Sequence, residues 1–252
     1  MTFSILTFLI VCPFVFFAGL VDAIAGGGGI VSMIAYLVAG VPMHFALGTN
    51  KFSSSIGTVF STGRYLKNGF YSKKLVIPTV IASLVGSLIG SNLTIITDEK
   101  YLKYMLVIVL PIVALIVLKK KNIINQDNVD ITYKKQLLVS SVIAFFLGGY
   151  DGFYGPGTGT FMILAFTGIA KINVQEANGN TKCANLASNV AALVTFIING
   201  KVYYGLGIAA AVFSVLGHYI GSGLVIRNGS KVVRPIIILV IVLLFFKVVT
   251  GI

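Results

Sequence analysis

The sequence predicts an all-α, polytopic helical membrane protein built from two inverted five-segment repeats, with broken or re-entrant helices at two glycine motifs. Three observations predict it. Of the 252 residues, 57% are hydrophobic and only 10% charged, where a soluble domain is nearer ~25% charged. Apolar runs succeed one another at 3–25, 30–39, 44–62, 75–96, 102–118, 136–149, 159–170, 183–198, 204–226 and 232–250. Several reach the ~20 residues that a spanning helix needs. A glycine-rich motif beside an acid occurs twice, once with Asp22 and Gly26, Gly27, Gly28 and Gly29, once with Asp151 and Gly155, Gly157 and Gly159. In lipid such backbone is costly unless it lines a cavity or a site.

Taken in order, the run at 3–25 reads as a retained helix and not a cleaved signal. No Lys or Arg precedes Lys51, and no clear small-residue cleavage site follows the run. The runs at 30–39 and 159–170 are too short to span upright, and each directly follows a glycine motif. The runs at 44–62 and 183–198 belong to helices that open on polar residues. The polar stretch 119–135 is a cytoplasmic linker between a first repeat, 1–118, and a second, 136–252. Cys12 and Cys183 lie far apart in apolar runs, as small buried hydrophobes do.

The repeat extends well beyond the glycines. At a spacing of 129, Gly19, Asp22, Gly26 and Gly28 recur as Gly148, Asp151, Gly155 and Gly157. At a spacing of 131, Ala46, Gly48, Lys51, Asn68 and Gly69 recur as Ala177, Gly179, Lys182, Asn199 and Gly200. Ser83, Gly86, Ile89, Gly90 and Ser91 likewise recur as Ser214, Gly217, Ile220, Gly221 and Ser222. Five segments per half is an odd number, so the halves are expected to be inverted. The charges agree. Arg64, Lys67, Lys73 and Lys74 crowd one loop, while its equivalent carries only Lys201. The mixed loop at 97–103 corresponds to one carrying Arg227, Lys231 and Arg234. Under this topology 13 Lys/Arg are cytoplasmic and 4 external, following the positive-inside tendency, and both termini face outward. The net charge of +12 is therefore topological, and no nucleic acid is expected as a partner. Inverted repeats with paired broken helices mark secondary transporters, with the site at the repeat interface.

The candidate site residues cluster on the repeated motifs. Gly26–Gly29 and Gly155–Gly159 each precede a short helix and offer free N–H groups and a positive dipole end. Two such ends facing one another make an anion site; close packing of small residues is the plainer reading. Thr49, Asn50, Lys51 and Ser54 open one helix, and Thr181, Lys182, Asn185 and Asn189 open its counterpart, with Thr158 in the second glycine run. A lysine there either snorkels to the interface or faces a polar cavity, where it supplies charge to an oxyanion. Asp22 and Asp151 are candidates either for capping the glycine turns or for handling protons or cations. Gly86/Gly90 and Gly217/Gly221 read as close-packing pairs. Tyr65, Tyr71, Tyr203 and Tyr204 read as interfacial residues. His44 and His218 look unpaired. No Walker motif, Ser/His/Asp set or metal-ligand cluster is present in the sequence, so neither an enzyme nor a cofactor is expected.

Asp22 with Gly26–Gly29, then Gly48, Thr49 and Asn50, then Thr181 and Lys182 with Asn185, Ser188 and Asn189, resemble the TauE/SafE sulfite exporter family of permeases. The resemblance spans about residues 10–250. It implies a multi-pass transporter of the bacterial or archaeal inner membrane for small sulfur-containing oxyanions such as sulfite and sulfonates, with secondary coupling, expected to be by protons. Pro156 and Thr158 depart from a plain glycine run and make the two halves chemically unequal. The substrate is thus a small anion, the other partners being protons and the lipid bilayer; a homodimer is compatible with this reading. Two other readings stay open: a passive channel or cation or metal permease using Asp22 and Asp151 as ligands, and a structural membrane subunit that needs a partner.

Overall fold

The computed structural model describes residues 4–102, 104, 131–229, 231–233 and 235–236. Most of the fifth apolar segment expected in each half and most of the expected linker lie outside the described residues. Eight helices make up the described part. They are α1 (Ile5–Ala25), α2 (Gly28–Val38), α3 (Met43–Lys67), α4 (Val76–Ile96), α5 (Tyr133–Phe153), α6 (Thr158–Gly168), α7 (Val174–Ile198) and α8 (Tyr204–Asn228). Long, short, long, long is thus followed by the same sequence of lengths.

Local chemistry sets the boundaries. Ser4 caps α1, its side chain accepting from the Thr7 N–H at 3.4 Å, and Asn173 caps α7 by accepting from the Glu176 N–H at 2.9 Å. α1 stops at Gly26, whose φ of 77° is left-handed and whose N–H closes on the Asp22 carbonyl. Gly155, at φ 96°, breaks the chain at the equivalent point after α5. Short helices of 11 residues follow both breaks, about 16 Å long at 1.5 Å per residue, half the thickness of a bilayer core. α1, α4, α5, α7 and α8 are each long and apolar enough to cross a membrane. α3 is as long as α7 at 25 residues and somewhat more polar, and it buries Thr49, Asn50, Lys51, Ser53, Ser55, Thr58, Ser61 and Thr62.

Packing between the helices follows small residues. Gly86 and Gly90 of α4 bring their backbone against Phe145 and Gly149 of α5, and Gly217 and Gly221 of α8 press on Phe16 and Leu20 of α1. Phe16 and Leu20 stand at the same positions as Phe145 and Gly149, so the two contacts are counterparts. A serine ladder ties α4 to α7. Ser83 and Ser87 donate to the carbonyls of Ala184 and Ser188 at 2.9 and 2.6 Å, and Ser91 donates to the Thr195 hydroxyl at 2.9 Å. The rungs ascend together, so these helices run parallel. α8 runs parallel to α3 in the same way, with Gly207 against Phe52 and Gly57 against Ser214 and His218. α3 and α7 cross antiparallel: Gly48 meets Phe196 and Lys201, while Thr62 donates to the Lys182 carbonyl at 3.2 Å. In lipid, where burial of apolar surface between helices gains little, such close backbone approach and interhelical hydrogen bonds supply the packing energy.

The loops sort to two ends. The Ser72 N–H bonds to Asn180, Lys74 lies 5.5 Å from the Tyr133 ring and Arg64 lies 4.3 Å from the Tyr219 ring. These contacts gather the basic α3–α4 loop, the start of α5 and the arginine-bearing end of α8. At the opposite end His44 meets Glu99, and Lys201 lies 5.3 Å from the Phe45 ring. Tyr65 departs from the interfacial expectation: it is fully buried, its hydroxyl donating to the Ala23 carbonyl at 2.8 Å.

Candidate functional site

The site lies where the two glycine turns meet. A Cβ on Gly26 would collide with the backbone of Gly159, and one on Gly159 with Gly26. Only glycines allow this approach. Thr160 of α6 fastens it, donating from its N–H to the Gly26 carbonyl at 3.2 Å and from its hydroxyl to the Ala25 carbonyl at 2.8 Å. Beside this contact is a polar cavity of about 30 Å³, room for roughly two waters at ~10–15 Å³ each. Asp22, Gly26, Gly29, Asn50, Lys51 and Ser54 line it from the first half, and Asp151, Gly155, Gly159, Asn185 and Asn189 from the second.

The charged groups cross between halves. Lys51 of α3 donates to Asp151 Oδ2 of α5 at 2.7 Å and to Asn189 Oδ1 of α7 at 2.8 Å. Lys182 of α7 donates to Asp22 Oδ2 of α1 at 2.9 Å and also to the Asp22 carbonyl. Each lysine therefore neutralises the carboxylate of the other half. Both lysines are buried, at 3% and 0% exposure, so neither snorkels. Each carboxylate has one further side-chain partner, and here the halves differ. Ser188 donates to Asp151 Oδ2 at 2.6 Å, whereas His218 Nε2 lies 3.2 Å from Asp22 Oδ2. Neither carboxylate accepts from a backbone N–H of the glycine turns, so the capping role considered for them is not theirs.

The expected site residues divide into two sets. Those named above line the cavity. Gly27, Gly28, Thr49, Gly157, Thr158, Thr181 and Lys182 do not line it. Gly27 caps α2, Gly28 packs on Ala18, and Gly157 lies beneath the Phe161 ring. The Thr49 hydroxyl accepts from the Tyr203 N–H at 3.0 Å, and the Thr158 hydroxyl donates to Gly155 at 2.7 Å. Thr181 is buried with no partner for its hydroxyl, and Lys182 stands behind Asp22. Within the cavity the Asn50 Oδ1 likewise has no partner, an acceptor open to a donor such as water or a protonated ligand oxygen.

Both histidines are engaged, contrary to the sequence reading. His44 bridges Glu99 at 3.3 Å and the carbonyls of Thr94 and Thr97 at the end of α4. His218, 1% exposed, sits at the second carboxylate. The signal for His218 was in the repeat itself. At the spacing of 131 it replaces Ser87, and Gly57 stands where Ser188 would be. A Cβ at Gly57 would collide with the His218 ring, so the glycine makes room for the imidazole that takes over the serine's place.

A chain with this architecture is a membrane transporter by class. The sulfite exporter TauE/SafE family profile matches residues 11–248, and the chain belongs to that family. It is 33% identical to a probable membrane transporter protein of Sinorhizobium sp, over 98% of this chain and 93% of that one. It is 31% identical to a probable membrane transporter protein of Haemophilus influenzae, over 93% and 91%. With the probable membrane transporter protein YfcA of Escherichia coli it shares 32% identity, over 88% and 82%. No solved structure matches the chain significantly.

Proposed function

We propose that the protein is a secondary transporter for small sulfur-containing oxyanions of the sulfite and sulfonate type, coupled to protons and working by alternating access at the interface of two inverted repeats. One observation carries the reading: a polar cavity between the halves is lined by both glycine turns and by Lys51, with the amides of Asn50, Asn185 and Asn189 around it. Amide and hydroxyl donors with one ammonium suit an oxyanion head. The first-turn residues Gly29 and Gly159 add the positive ends of α2 and α6. At about 30 Å³ the cavity is on the scale of a small oxyanion head.

The ion pairs give the coupling a physical form. An anion draws Lys51 away from Asp151 and adds negative charge to a buried site, so a proton taken up at the site favours its entry. Anion and proton therefore favour each other's binding, which is the linkage a symporter needs. The antiparallel crossing of α3 and α7 supports the inverted arrangement, and the basic loops at one end support that end as the cytoplasmic one. A bacterial or archaeal inner membrane is the setting, with both termini outside. A cation permease would have to strip a lysine from each carboxylate before using it as a ligand, which disfavours that alternative.

The test is flux of labelled sulfite into proteoliposomes with and without a pH gradient. Gradient-stimulated flux that falls at least tenfold in Lys51→Ala is expected. Absence of sulfite and methanesulfonate flux, or cation flux that survives Lys51→Ala and dies in Asp22→Asn, would overturn it.

A further inference from the structure

Charge counting at the site leaves one group undecided. Lys51 and Asp151 cancel, and so do Lys182 and Asp22. With a neutral His218 the assembly has no net charge, and a bound monoanion would leave an uncompensated negative charge in a buried place, which is costly. With a charged His218 the same monoanion is balanced. Histidine is the side chain whose ordinary titration range spans neutrality.

The ring's partners define its two states. Nδ1 lies 2.9 Å from the Ser214 carbonyl, which can only accept, so Nδ1 carries a proton in either state. Nε2 faces Asp22 Oδ2 at 3.2 Å and the Thr58 hydroxyl at 3.4 Å. Protonated, Nε2 donates to the carboxylate. Neutral, it needs a donor, and the Thr58 hydroxyl is the one at hand. The charged and titratable groups around it are Asp22 from α1, Lys182 from α7, and Lys51, Arg64 and Tyr65 from α3. Lys51 is held by Asp151, Arg64 by the Tyr219 carbonyl and Tyr65 by Ala23. The first half offers no equivalent, since Ser87 stands at that position.

We propose that His218 holds the proton that accompanies the transported anion, exchanging it with the cavity through Asp22. The proposal rests on the anion-transport reading and assigns its coupling to one half of the molecule. A proton from water adds to Asp22, which lines the cavity, and passes to Nε2. The imidazolium then shares Asp22 with Lys182, and the site gains one positive charge. A monoanion enters against Lys51 and the amides. On the other side of the membrane the anion leaves and Nε2 returns its proton through Asp22 to water. One anion and one proton move together, and His218 is a positioning residue that never touches the substrate.

The experiment uses the full-length protein in liposomes with labelled sulfite as probe. Sulfite exchange at equal pH on both faces reports carriage alone; accumulation under a pH gradient reports coupling. His218→Gln is expected to slow exchange, because the anion's charge is then unbalanced, and to lose gradient-driven accumulation at least tenfold relative to its own exchange. Gradient-driven accumulation at the wild-type level in H218Q would overturn the proposal while leaving anion transport standing. Absence of exchange in the wild type would overturn both. Should H218Q fail to fold, Thr58→Val decides. Without the hydroxyl the neutral ring loses its donor, so the pH midpoint of exchange moves upward against wild type. Sulfite's own titration is common to both proteins and cancels. An unchanged midpoint in T58V would overturn the proposal.

Discussion

Lys51 and Asp151 are both almost fully buried and 2.7 Å apart, and that closeness has a measurable consequence. Removing one member of a buried ion pair strands the other charge and costs about 3–5 kcal/mol, whereas replacing both with apolar groups costs far less. Lys51→Met should therefore lower the thermal midpoint of the detergent-solubilised protein strongly, and K51M combined with Asp151→Leu should recover most of the loss without recovering sulfite flux. Equal stability of the single and the double variant would mean that the two groups do not depend on each other. At this scale the sequence singled out most of the residues that line the cavity and was silent about whom they meet. The repeat identified Lys51 with Lys182 and Asp22 with Asp151, but the exchange of partners between halves depends on how α3 crosses α7, which no local pattern encodes. His218 was passed over because it breaks the repeat; the same mismatch, read together with Gly57 opposite Ser188, marks it.

Helix pairs in this molecule stand close because glycines let them. A Cβ at Gly90 would collide with the Gly149 carbonyl, while one at Gly63 meets nothing within 4 Å. Gly90→Val should cost about 1–3 kcal/mol by overpacking. Gly63→Ala, in the same kind of helix but in open space, should be neutral or stabilising by up to ~1 kcal/mol. Thermal midpoints in detergent compare the two directly, and similar losses would show that the α4–α5 contact is not limited by backbone approach. Element boundaries were legible wherever a cap or a glycine break announced them: Gly26 and Gly155 end helices where the sequence placed the breaks. α3 shows as the apolar run 44–62 and extends to Lys67, and its buried hydroxyls belong to a polar face that turns inward to the cavity and to α7.

At the scale of the whole molecule, several contacts between described helices recur in the two halves, and some of the departures gather at the site. α4 on α5 repeats as α8 on α1, and Lys51 with Asp151 repeats as Lys182 with Asp22. Against that symmetry stand His218 for Ser87, Gly57 for Ser188, and Pro156 and Thr158 in the second glycine run. A transporter that alternates between two faces gains from symmetric halves, whereas coupling to one proton needs only one of them to titrate. The inward polar faces of α3 and α7 were visible in the sequence as polar residues at helical spacing. Their convergence on a cavity was one of two readings left open there, since it depends on the contact of Gly26 with Gly159 across the two halves. The central claim is that a small oxyanion binds in that cavity. Selenite, a heavier analogue of sulfite, locates it by anomalous scattering from crystals of the full-length protein. The account predicts one strong selenium peak within hydrogen-bonding reach of Lys51, Asn50 and Asn185, beside the glycine turns. A selenium peak elsewhere with this cavity empty would contradict it.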